Sequence, residues 1–173
     1  MNELTLKNII RFITFIIIQV VILKRIQLGA PGFNLIHLFL YPLAILLLPI
    51  NANRILVLFL SFFSGLLVDL FYDSPGVHAA SATLLGYIRH FSFKWLEPRG
   101  GYGTAVLPTM EHLGSTWVIS YVSIGMAVYI SCYFSLQAFS IVFFFTILGK
   151  SVFSFLMSMI IVLVYLFVFQ PKS

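Results

Sequence analysis

Residues 54–95 read RILVLFLSFFSGLLVDLFYDSPGVHAASATLLGYIRHFSFKW. Two apolar stretches, 54–71 and 77–95, flank the tetrapeptide Asp73-Ser74-Pro75-Gly76, whose residue types favour a tight turn. Roughly 20 mostly apolar residues carry a helix across a hydrocarbon core about 30 Å thick. Each stretch has about that length, and the second becomes more polar towards its end. The reading is an antiparallel hairpin of two transmembrane helices.

Four further stretches extend the pattern: residues 9–28, 33–50, 113–136 and 139–169. The second of these has Pro42 inside it and Pro49 at its end. The last is too long for one upright span, so it either tilts or breaks near Gly149. Turn chemistry separates the stretches at Gly29-Ala30-Pro31-Gly32 and Asn51-Ala52-Asn53. The longest polar segment is 97–111, with Pro98, Gly100, Gly101, Gly103 and Pro108. Hydrophobic residues make up 61% of the chain and charged residues only 9%, against about 25% charged in a soluble domain. A water-soluble fold of this length cannot enclose so much apolar surface. The expectation is an all-α integral membrane protein, a single multi-pass domain over 1–173, with about six transmembrane helices in a bundle.

The polar start and the apolar run 12–23 have the outline of a signal peptide. No small-x-small cleavage site follows; the next residues are Lys24, Arg25 and Ile26, so the stretch reads as an uncleaved first helix. With the N-terminus inside and six crossings, the inner segments hold Lys7, Arg11, Arg54, Arg89, Lys94, Arg99 and Lys172. The outer segments hold only Lys24 and Arg25. That asymmetry places both termini in the cytoplasm. The net charge of +5 is dispersed over helix ends, which fits anionic lipid headgroups and argues against nucleic acid as a partner.

Asp69 follows Ser61 and Gly65 at four-residue spacing, making a small, polar stripe on one face of a helix. A carboxylate at membrane depth is expensive and faces protein or water. Asp69 is therefore either an interhelical polar lock or a charge that snorkels to the interface. As a lock it would draw on the backbone amides opening the next helix, around Val77 and Ala79, and on the His78 ring. Asp69→Asn is then expected to be mild. Lys150 has Ser151 and Ser154 beside it. It is either a buried charge, with Asp69 as a conceivable partner, or the mark of a helix boundary. Trp95, Trp117, Tyr41, Tyr72, Tyr87 and Tyr102 fall where an aromatic belt would lie.

Catalytic and metal signatures are missing. The chain has no Gly-x-Ser-x-Gly, no His-Glu-x-x-His and no Walker-type loop, and only five acidic residues. The four histidines, His37, His78, His90 and His112, have no metal-ligand spacing. Cys132 stands alone, so neither an intrachain disulfide nor a cysteine cluster can form. No cofactor is expected.

The run 63–80, FSGLLVDLFYDSPGVHAA, resembles the Gly-Leu-x-x-Asp-Leu-…-Gly-x-His-Ala segment of the bacterial rod-shape-determining MreD family. Leu96-Glu97-Pro98-Arg99-Gly100-Gly101-Tyr102 resembles the longer-loop version of its Bacteroidota branch. The resemblance implies a non-catalytic scaffold in the bacterial inner membrane, supporting peptidoglycan synthesis and cell shape. It implies MreC, RodA, a class B penicillin-binding protein and MreB as partners. It also implies a bundle similar to the substrate-binding subunits of ECF importers. Gly65, Asp69, Gly76 and His78 match the family pattern in a structural or interaction role, to which the physical reading adds Lys150. Two rivals stay open. One is a vitamin-type importer subunit, with a polar cavity built from groups such as Asp69, His78, Gln137 and Lys150. The other is a small intramembrane enzyme acting on lipid.

Overall fold

A computed structural model describes residues 3–26, 37–103, 107–138 and 144–169, and every regular element in them is helical. The chain opens with α1 (Glu3–Val21), which passes through a 3₁₀ turn at Leu23–Arg25. A short α2 (Pro42–Leu46) comes next. The hairpin of α3 (Arg54–Tyr72) and α4 (Val77–Trp95) follows, then the single turn α5 (Met110–Leu113). Two long helices, α6 (Ser115–Ala138) and α7 (Phe144–Val168), complete the order.

The bounds of the α3–α4 hairpin match the sequence reading closely, although of the two only α3 is among the helices long and apolar enough to cross a membrane. The ends of the hairpin show why the bounds agree. Asn53 caps α3, its side chain accepting from the Ile55 amide at 2.9 Å. Asp73 ends α3 in the left-handed region (φ 53°), donating its N–H to the Asp69 carbonyl. Gly76, at φ 85°, then starts α4. Nothing lies within 4 Å of where a Gly76 Cβ would stand, so its role is backbone conformation rather than space.

Residues 33–50 do not form the predicted membrane-length helix. Residues 33–36 lie outside the described residues. Residues 37–40 have no regular structure, and only the five residues Pro42–Leu46 are helical. Pro42 occupies the first helical position, where its missing N–H costs nothing; Pro49 lacks the amide that continuing the helix would need. From Pro42 to Leu48 there is room for at most about two turns. Hydropathy registers apolar length and is blind to this.

Three other boundaries differ. α1 begins at Glu3 rather than residue 9, and Asn8 and Arg11 within it find polar partners. Arg11 donates to Asn8 Oδ1 at 2.7 Å and to the Leu47 carbonyl at 2.8 Å. α7 runs unbroken through Gly149 and Lys150, since one glycine costs a helix only about 1 kcal/mol. Its 25 residues rise about 37 Å, more than a hydrocarbon core is thick. The described residues 97–103, which follow α4, also fold back on the bundle. The Tyr102 hydroxyl donates to the Phe93 carbonyl and the Trp117 indole to the Leu96 carbonyl, each at 2.5 Å.

The long helices surround residues 38–48, every one of which is buried. α3 packs on α4, α4 on α6 and α6 on α7. Phe15 of α1 meets Tyr165 of α7 edge-on at 4.7 Å, bringing the first and last helices together. Arg54–Tyr72, Ser115–Ala138 and Phe144–Val168 are long and apolar enough to cross a membrane. Outward faces are apolar: Ile55, Phe59, Phe62 and Leu70 on α3, and Phe153, Ile160, Val164 and Phe167 on α7. An apolar exterior of this extent is compatible with a membrane protein.

Small residues set the separation of α3 and α4. A Cβ on Gly65 would stand 2.5 Å from both the Ala79 Cα and the His78 carbonyl oxygen. Both obstacles are backbone, so neither can rotate away. Gly65→Val is therefore expected to destabilise the protein by about 1–3 kcal/mol, the usual range for overpacking. Gly149→Ala, where no atom lies within 4 Å, should be neutral or slightly stabilising. Thermal unfolding of both variants in mild detergent checks this; equal stabilities would contradict a tight crossing at Gly65.

Candidate functional site

The conspicuous feature of the bundle is an irregular backbone in its centre. Amides and carbonyls buried without partners cost several kcal/mol each, and non-helical backbone is tolerated at membrane depth only inside protein. Side chains from four surrounding helices supply the partners. Gln19 of α1 uses both ends of its amide. Its Nε2 donates to the Leu38 carbonyl at 2.8 Å, and its Oε1 accepts from the Leu40 amide at 2.8 Å. On α7, Ser154 accepts from the His37 amide at 3.0 Å and Ser158 from the Phe39 amide at 2.9 Å. The spacing of four puts both serines on one face of α7.

At the other end of this segment the carbonyls are held. Tyr121 of α6 donates to Leu46 O at 3.0 Å. Arg89 of α4 donates to Leu48 O at 2.5 Å and Pro49 O at 2.9 Å. Gln19, Ser154 and Ser158 are each 0% exposed and Arg89 only 4%. Apart from the Arg89 Nε–H, their polar atoms are thus committed inside the bundle rather than offered to solvent.

Asp69 forms the second node. Its Oδ1 accepts from the His78 amide at 3.0 Å and the Ser74 hydroxyl at 2.9 Å; its Oδ2 accepts from the Ala79 amide at 2.9 Å. These amides are among the first of α4, which have no partner within their own helix. Asp69 therefore caps α4 from α3 with a full negative charge at the positive end of the helix dipole. It is buried, so the lock describes it and interfacial snorkelling does not. Gly65 enables the lock, because it lets α3 approach the same two residues.

The His78 ring does not serve Asp69. Its Nδ1 lies 2.7 Å from the Tyr129 hydroxyl and 3.4 Å from that of Tyr41, and the two hydroxyls are 2.7 Å apart. This polar cluster ties α2, α4 and α6 together. Tyr41, expected in an aromatic belt, is wholly enclosed, whereas Trp95 and Tyr87 do face outward.

The structure thus gathers Gly65, Asp69, Gly76 and His78 at one end of the hairpin and leaves Lys150 apart. Lys150 is half-buried on α7, within electrostatic reach of His37, while Asp69 takes its partners from Ser74, His78 and Ala79. Gln137 is exposed at the far end of α6, lining a cavity of about 340 Å³ with Lys24, His37, Tyr72 and Asp73. Sequence reasoning passed over Gln19, Arg89 and Ser158. A glutamine alone in the apolar run 12–23 is the signal that would have found the first. Among the described residues no three His, Cys, Asp or Glu stand close enough to hold a metal ion. The chain has no significant match to any family model, curated protein or solved structure.

The geometry corrects the expectation that Asp69→Asn is mild. Both carboxylate oxygens accept from backbone amides, and Asn has one acceptor oxygen. Its NH₂ would confront an N–H donor. Asp69→Asn and Asp69→Leu are both expected to destabilise the protein, by about 1–3 kcal/mol for each buried donor left unpaired. Unfolding midpoints of the two variants against wild type measure this; a wild-type midpoint for Asn would mean that Asp69 is not bidentate.

Proposed function

We propose that this chain is a non-catalytic scaffold of the bacterial inner membrane, of the MreD type, serving the cell-elongation machinery. The observation that carries the reading is how the buried polar side chains are spent. Gln19, Asp69, Arg89, Ser154 and Ser158 all bond to backbone or to a neighbouring turn. What they stabilise is a bundle with apolar outer helices, and those outer faces are what the protein presents to other membrane proteins. The quoted segment 63–80, with Gly65, Asp69, Gly76 and His78, supplies the link to rod-shape determination.

In this reading the chain crosses the membrane six times, with residues 37–50 as the second crossing and both termini in the cytoplasm. Progress along that crossing runs from the level of Gln19 in α1 to the level of Arg11 in the same helix, opposite to the direction of α1. MreC, RodA, a class B penicillin-binding protein and MreB are the proposed partners. The importer-subunit reading has one observation in its favour, the polar-lined cavity of about 340 Å³ beside His37 and Asp73. Asp69 and His78, which it would need as ligand groups, are already engaged, Asp69 with the amides that open α4 and the His78 ring with Tyr129 and Tyr41.

Depletion of the protein should give rounded or swollen cells, and a reporter fused after Arg99 should stay cytoplasmic. Cells that keep their shape but lose uptake of a vitamin would establish the importer reading instead.

A further inference from the structure

At the Arg89 end of the hairpin, between the start of α3 and the end of α4, lies a cavity of about 460 Å³. That is within the range of about 300–1,000 Å³ typical of small-ligand sites. Its polar lining is Asn51, Arg54, Tyr87, Arg89 and His90, and no carboxylate lines it. Arg54 and Lys94 both stand within electrostatic reach of His90. Positive charge is therefore concentrated here without a counter-charge.

Arg89 makes the imbalance acute. It is 4% exposed. Its Nη2 donates to two neutral carbonyls, which satisfy hydrogens without cancelling charge. Its Nε–H is buried and has no acceptor. An arginine fork presents donors in a fixed plane that suits phosphate oxygens, and a buried donor left unpaired is costly. The Phe93 ring face, 4.7 Å from the guanidinium, carries no formal charge; a phosphate group in the cavity would supply the missing negative charge, and an acceptor to any Arg89 N–H that it reaches. The lining continues through Val57, Leu58 and Phe91, apolar side chains that suit the glycerol and acyl parts of a lipid.

We propose that this cavity binds a phosphate group, held by Arg54, Arg89 and His90. An anionic phospholipid headgroup and free phosphate share that chemistry. Basic pockets between membrane helices commonly take anionic headgroups.

Native mass spectrometry of the full chain, purified and exchanged into mixed phosphatidylglycerol and phosphatidylcholine, tests the lipid source. Thermal unfolding in inorganic phosphate against chloride at equal ionic strength tests the soluble one. The expected result is selective retention of one phosphatidylglycerol. Arg54→Gln should weaken that retention about fivefold, the effect of one basic group near an anionic headgroup. Arg99→Gln removes the same charge from an exposed position outside the cavity, and should change nothing. Stabilisation by inorganic phosphate that Arg54→Gln abolishes, without selective lipid retention, would uphold the phosphate site and assign it a soluble ligand. Equal losses for Arg54→Gln and Arg99→Gln would overturn the proposal in favour of general surface charge. So would the lack of any preference for phosphatidylglycerol or phosphate.

Discussion

An irregular stretch of backbone enclosed by helices must have its hydrogen bonds made by someone else. Residues 37–48 run through the middle of this bundle and are helical only from Pro42 to Leu46. The surrounding helices carry the missing partners at matching heights, with Gln19, Ser154 and Ser158 at one end and Tyr121, Arg89 and Arg11 at the other. Each of these side chains would be a liability in an apolar helix on its own. Together they convert a costly irregular insertion into the element that α1, α4, α6 and α7 hold in common. The arrangement also limits the bundle, since moving any one helix strips an acceptor or donor from the centre.

The α3–α4 hairpin obeys the same economy by a different device. Here the exposed ends are helix ends, and one carboxylate satisfies two of the amides that α4 leaves open. The lock depends on close approach, and close approach depends on the absence of a side chain at Gly65 and Gly86, the latter abutting Ser61 Oγ. Polar recognition and small-residue packing are thus one feature in this hairpin. With the polar atoms turned inward, the outer faces of α3 and α7 carry little but apolar side chains.

Much of this was legible from residues 54–95. Asp-Ser-Pro-Gly announced the turn, the period of Ser61, Gly65 and Asp69 announced the contact face, and α4 began and ended where its composition said. The bidentate role of Asp69 was half legible: the amides of α4 were identifiable as donors, but the use of both oxygens depends on the angle of approach. The central segment does not form the helix expected of it; Leu, Ile and Phe are apolar in helix and in extended chain alike. Pro42 is plain in the sequence; the partners of the backbone before it are not, since Gln19 and Ser158 lie far from residues 38–40 in sequence and only the fold brings them together. Arg89 was counted for topology, where its position near a helix end suffices, and its bonds to Leu48 and Pro49 were out of reach of any count.

Side chains hold the central backbone in place, and amide hydrogen exchange of residues 37–41 in mild detergent examines that directly. In the wild-type protein these amides should exchange slowly although they belong to no helix of membrane length. In a Gln19→Met, Ser158→Ala variant the Leu40 and Phe39 amides lose their acceptors, and exchange across 37–41 should quicken about ten- to a hundredfold, with α6 unchanged. Rapid exchange of the segment in the wild type, or equal protection in the variant, would contradict the account.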